Sequence, residues 1–142
     1  MKPFAFGLEK VLDLRKFYED EAKIELGRAI SYMSELELKL QVLAGERVRA
    51  AAAQFNPDNN AALMQQYMFY ILRLDSIKEQ LLKDLALAEL KVEEAREVFL
   101  EASRERKILD NLKEKRQKEH RKEMFTEETK VLDDISVNSQ QL

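Results

Sequence analysis

Phe55-Asn56-Pro57-Asp58-Asn59-Asn60 is the stretch that decides the fold of this 142-residue chain. Pro57 has no amide hydrogen, and its ring biases Asn56 out of the helical region, so a helix arriving from the N-terminal side ends here. Asn56, before Pro57, and Asp58 are candidate caps for a helix that starts after the turn. The chain holds only three glycines and two prolines, so few other turns can be built. One break, with long segments on both sides, predicts two helices.

Both segments carry a heptad stripe. Upstream, the stripe runs from Ala5, Leu8 and Leu12 through Ala22, Leu26, Ala29, Met33, Leu36, Leu40 and Leu43 to Ala50, interrupted by Arg15, Glu19 and Arg47. Downstream it runs from Leu63, Tyr67, Tyr70 and Leu74 through Ile77, Leu81, Ala88, Ala95, Val98 and Ala102 to Leu109 and Leu112, interrupted by Asp84, Lys91 and Glu105. Stripes sustained over this many heptads are coiled-coil seams. A short turn makes the two helices antiparallel neighbours. Centring the turn between Asp58 and Asn59 sets Leu43 against Leu74, Leu36 against Leu81, Ala22 against Ala95 and Ala5 against Leu112. The second seam ends where the first helix runs out of chain, so residues beyond Leu112 are expected to project as a polar overhang.

The expected fold is all-α: a long two-helix antiparallel coiled-coil hairpin with a projecting C-terminal helix. Residues 1–142 form one coiled-coil domain in this reading. Helix 1 covers about 5–53, the turn about 54–60, helix 2 about 61–125, and a frayed tail 126–142. At ~1.5 Å per residue the paired part is roughly 70 Å long.

Composition narrows the function. Charged residues make up 36% of the chain and apolar residues 45%, rich in Ala, Glu, Lys, Leu and Arg, as in long helices. Twenty-four basic residues nearly balance 27 acidic ones, which argues against the whole chain binding nucleic acid or a membrane surface. Without cysteine there is no disulfide framework and no thiolate metal site. No apolar run is long enough to insert directly in a membrane, and the N-terminus lacks a signal peptide's apolar run; a cytoplasmic location is expected. No catalytic constellation, cofactor site or metal site is expected, and the chain is read as non-enzymatic. Its single histidine, His120, is expected on the solvated overhang, and a two-helix coil offers no water-excluded pocket.

Three features point to binding. Met64, Met68, Phe69, Ile71 and Leu72, with Leu38, Val42 and Val48 opposite, lie off the seams near the turn and form surplus apolar surface that a two-stranded coil cannot bury. Residues 104–123 carry nine Lys or Arg against five acidic residues, which makes either a solvated helix laced with ion pairs or an electrostatic contact for an acidic protein surface; no aromatics are interleaved to stack on bases. Phe4, Phe6, Val11 and Leu14 add apolarity at the open end beyond what the seam requires, for contact with another body or for local packing on the overhang.

That opening, Phe4-Ala5-Phe6-Gly7-Leu8-Glu9-Lys10-Val11-Leu12-Asp13-Leu14-Arg15, followed by the Glu- and Ala-rich Glu19–Leu26, resembles the flagellar FliJ family. The length, the single break and the charged second helix fit as well. The resemblance implies a stalk-like coiled coil that inserts in and activates the hexameric flagellar export ATPase. It also implies a link to the cytoplasmic domain of the membrane export gate, dealings with export chaperones, and a cytoplasmic location at the flagellar base. The open end would meet the ATPase ring through Phe4, Phe6, Leu8, Val11, Leu12, Arg15, Arg104, Arg106, Lys113, Lys115 and Arg116. Leu38, Val42, Met68, Phe69 and Leu72 are the candidate gate contact. The alternative is a scaffold or prefoldin-like holdase chaperone outside flagellar export.

Overall fold

A computed structural model describes residues 2–140. It contains two helices, α1 (Glu9–Gln54) and α2 (Ala61–Gln140), and no strand among the described residues. The all-α helical hairpin expected from the two stripes is the fold observed. No helix among the described residues is long and apolar enough to cross a membrane. The residues gather into two compact units: one is Ala22–Phe99, and the other joins the residues up to Glu21 to those from Leu100 on.

Within the Ala22–Phe99 unit the turn is built from three asparagines. Asn56 Oδ1 accepts a hydrogen bond from the Asp58 amide at 3.0 Å, and the Asn59 amide closes a turn on the Asn56 carbonyl with Pro57 at its second position. Asn59 Nδ2 donates to the Ala53 and Gln54 carbonyls, which α1 leaves without helical partners. Asn60 is the N-cap of α2: its Oδ1 accepts from the Leu63 amide at 2.8 Å. The sequence offered Asn56 and Asp58 for that role, but the Pro57 turn uses both before α2 begins.

The core of this unit is one narrow seam, with Ala22, Leu36, Ala50, Leu74, Ala88 and Val92 buried. Every α1 position from Ala22 to Leu43 in the expected stripe is buried or half-buried. In α2 the stripe drifts. Leu74, Leu81 and Ala88 face inward as expected, but Val92 and Phe99 take the places expected of Lys91 and Val98, and Val98 is 60% exposed. An unsupercoiled helix repeats every 3.6 residues, so a strict seven-residue frame slips off its inner face over a few heptads.

The register differs too. Arg47 pairs with Asp75, its Nε 2.6 Å from the carboxylate, where the expected register sets Tyr70 opposite. The offset is about one helical turn. Ala61–Gln66 are exposed throughout, so the first turns of α2 lie beyond the end of the α1 seam.

In the other unit, α1 begins at Glu9 rather than near residue 5. Gly7 and Leu8 form a turn in which the Glu9 amide donates to the Phe6 carbonyl, and Glu9 itself favours the positive end of the helix dipole. Residues 2–6 are non-helical and lie along α2. Phe6 is buried, with the Arg116 guanidinium 5.6 Å above its ring centroid, and the Phe4 ring lies 5.7 Å from that of His120. The segment after Leu112 is therefore not the unaccompanied overhang that the stripe predicts. Ala5, expected in the seam, is exposed. α2 also continues in helical form to Gln140, where a frayed tail was expected from 126. An existing helix extends without a new nucleation step, and Thr126–Gln140 contains no Gly or Pro to stop it.

Candidate functional site

Three elements assemble the open end: the N-terminal segment Lys2–Leu8, the first turns of α1, and α2 from Leu100 onward. Leu12 is fully buried and Leu8 half-buried between them. Four cross-helix or local ion pairs surround this small core. Lys113 Nζ lies 2.9 Å from Glu9, Arg15 meets Glu105, and Arg106 reaches both Glu19 at 2.8 Å and Asp110 at 2.5 Å. Arg106, with a smaller hydrogen bond from Ser103, holds the Glu19 carboxyl below its ordinary range although burial opposes this. The two acceptors raise the Arg106 guanidinium further above its ordinary value, so it stays charged.

The basic residues of α2 thus fall into two groups. Arg106 and Lys113 join the two helices, and Arg116 covers Phe6. At about 100° per residue, Arg104, Lys107, Lys115, Lys118 and Lys122 fall in a separate stripe on the side of α2 turned away from Arg106 and Lys113. All five are exposed. Arg104 and Lys118 touch only local carboxylates, Glu101 and Glu114, and Lys107, Lys115 and Lys122 have no ion-pair partner among the described residues. Of the expected contact residues, Leu12, Arg15, Arg106 and Lys113 are engaged within the unit. Val11, Arg104, Lys115 and Arg116 are exposed, and Phe4 and Phe6 form the strap over α2. The outward alignment of Lys107, Lys118 and Lys122 with Arg104 and Lys115 was present in the 3–4 spacing of the sequence, but a count of net charge does not reveal it.

The α1 side of the same unit carries exposed Val11, Leu14 and Tyr18 at helical spacing, with the Phe17 ring 5.9 Å from that of Tyr18. Val11 and Leu14 were singled out in the sequence; Phe17 and Tyr18 were not.

The candidate contact near the turn does not form one patch. Leu38 and Val42 share a groove with Leu43, Ile77 and Leu81. Met68 stands on the opposite side of α2 from Ile77, about half a turn around the helix, and Phe69 and Leu72 face outward. All five expected residues are exposed. A second groove is lined by Leu40, Leu43, Val48, Leu74 and Leu82. Ile77 was read as a seam residue, which concealed its part in the first groove.

Neither the curated proteins nor the solved structures contain a match to the chain. Its residues 4–141, however, match the family described as Flagellar FliJ protein. Together with the helical hairpin, this match places the chain in the flagellar FliJ family, and so among the components of the flagellar protein-export apparatus.

Proposed function

We propose that this chain is a non-enzymatic, cytoplasmic stalk whose open end enters the hexameric flagellar export ATPase and activates it, while the end near the turn links the ATPase to the export gate. The observation that carries the reading is the exposed stripe of Arg104, Lys107, Lys115, Lys118 and Lys122. These cations are free of structural pairing across the helices, so they can meet carboxylates on a partner without loosening the fold. Exposed rows of one sign accelerate encounter and set orientation more than they add affinity. The Leu38–Ile77 groove is the proposed gate contact, with Met68, Phe69 and Leu72 offering a second face to gate or export chaperones. Association with the membrane at the flagellar base would then come through the gate.

The test is ATP hydrolysis by the cognate ATPase with and without the purified chain. Lys107→Glu, Lys115→Glu, Lys118→Glu and Lys122→Glu together should abolish stimulation while leaving helicity intact. Undiminished stimulation by that variant contradicts the reading. The two apolar grooves favour a second reading, a holdase of the prefoldin kind. In that case Leu38→Ser with Ile77→Ser would abolish suppression of client aggregation, and the four charge reversals would leave it unchanged.

A further inference from the structure

The seam face of α2 does not end where the N-terminal segment stops covering it. Lys113, Gln117, His120 and Met124 are half-buried in that unit. On the same side the helix continues with Val131 and Ile135, flanked by Phe125 and Leu132 and interrupted by Glu128, and there nothing among the described residues covers it. Leu132 is 66% exposed and Ile135 59%. Five apolar residues, Met124, Phe125, Val131, Leu132 and Ile135, thus share one side of the helix around a single acid, Glu128, a pattern suited to a coiled-coil seam.

The surrounding charge identifies the other half. From Glu123 to Gln140 the helix carries Glu123, Glu127, Glu128, Asp133 and Asp134 against Lys130 alone. An anionic membrane surface repels such a helix. A second copy fits poorly as well. In any register a second copy brings the same excess, five carboxylates to one Lys, and a parallel register aligns each acid with itself. Like charges at such close positions destabilise the pairing. A helix whose apolar seam is flanked by Lys and Arg meets both requirements.

We propose that Met124–Ile135 is the open half of a heterotypic coiled coil, and that it docks a helix of another protein carrying an apolar seam with basic flanks. The proposal is independent of the ATPase reading, which uses the basic stripe ending at Lys122.

The probe is a labelled synthetic helix of three heptads with Ile and Leu in the seam and Lys on both flanks, whose own charge opposes self-pairing. Two controls keep either the seam, with Glu flanks, or the Lys flanks, with an Ala seam. Fluorescence anisotropy with the full chain should show saturable binding of the first peptide, weakened by salt, and at least about tenfold weaker binding of each control. Leu132→Asp with Ile135→Asp should weaken the first peptide by at least about tenfold as well. Both side chains are exposed, so circular dichroism should show unchanged helicity and melting. Equal binding of the Glu-flanked peptide, or binding that survives the double variant, overturns the proposal. So does sedimentation equilibrium showing a dimer that the double variant dissolves.

Discussion

Glu19 and Arg106, 87 positions apart in the chain, meet with the guanidinium Nε donating to both carboxylate oxygens at 2.9 and 2.8 Å. Their side chains are only 17% and 25% exposed, so the pair sits at the edge of the seam rather than in open solvent. A slip of one helical turn would leave the Glu19 carboxylate partly buried and unpaired, and Arg106 with Asp110 alone. The pair therefore disfavours wrong registers more than it adds to the right one. Apolar stripes alone discriminate weakly between registers one turn apart, because leucine meets leucine or alanine in each.

The carboxyl of Glu19 is held below its ordinary value of 4.5, first by the Arg106 hydrogen bond. A carboxyl lowered on folding stabilises the fold fully above its unfolded value, and that contribution is lost as pH falls through the lowered one. Glu19→Gln should therefore destabilise the hairpin at neutral pH by roughly 1.5–3 kcal/mol, the worth of a hydrogen bond to a charged group. The gap between variant and parent should close once the pH falls below the carboxylate range. Urea unfolding followed by circular dichroism at neutral and acid pH measures both, and a gap that persists in acid would show that the ionised carboxylate is not the source.

Asn60 caps α2 through its side chain, so Asn60→Ala should destabilise by about 1 kcal/mol, whereas Asn60→Asp, which keeps the acceptor, should be close to neutral. Asn59→Ala removes the donor to two α1 carbonyls and should also destabilise. Thermal unfolding of the three variants ranks them, and a neutral Asn60→Ala would mean that the cap does not hold the start of α2.

Phe6 is the anchor of the N-terminal strap. Phe6→Ala should release residues 2–8 from α2 without melting either helix, since the two helices remain tied by Leu12 and the Glu19–Arg106 pair. Faster hydrogen exchange confined to the N-terminal segment, with little change in total helicity, is the expected signature. Global loss of helicity instead would show that the strap is part of the cooperative core.

Gly27 lies on the exposed side of α1, and a methyl group added there meets no atom within 4 Å. Gly27→Ala should therefore raise stability by up to ~1 kcal/mol through helix propensity alone. A lowered melting temperature would point to a close approach at that position that the fold described here does not contain.

Much of this structure was legible in the sequence, and the gaps have physical causes. The turn was readable because Pro57 and its polar neighbours have few competitors in a chain so poor in breakers. The α1 stripe was readable because its half-buried positions, Leu26, Met33, Leu40 and Leu43, keep the heptad spacing. The α2 stripe drifted because a fixed seven-residue frame imposes 3.5 residues per turn, and Lys91 and Val98 were placed inward where Val92 and Phe99 lie. The polar seam members Ser103 and Arg106 are invisible to any count of apolar residues. The strap was half legible: Phe4 and Phe6 stood out as surplus apolarity that either meets another body or packs on the second helix, but helix 1 was begun near residue 5, although Pro3 and Gly7 mark the segment as extended. At the C-terminal end the stripe was given up at Leu112 because its next positions, Arg116 and Glu119, are charged; the inward face had by then drifted to Lys113, Gln117 and Met124. The basic stretch was recognised, but its division between joining residues and an outward stripe depended on knowing which side of α2 faces α1.

The chain folds back on itself, with Glu9 against Lys113 and Arg47 against Asp75. It lacks cysteine, so pairs can be introduced without background. Glu9→Cys with Lys113→Cys, and Arg47→Cys with Asp75→Cys, should each be bridged within a single molecule by a short bismaleimide, at a rate independent of protein concentration. Glu9→Cys with Ile108→Cys, the register one turn away, should be bridged much more slowly. Bridging mainly between molecules, or faster bridging of the Ile108 pair, would contradict the account.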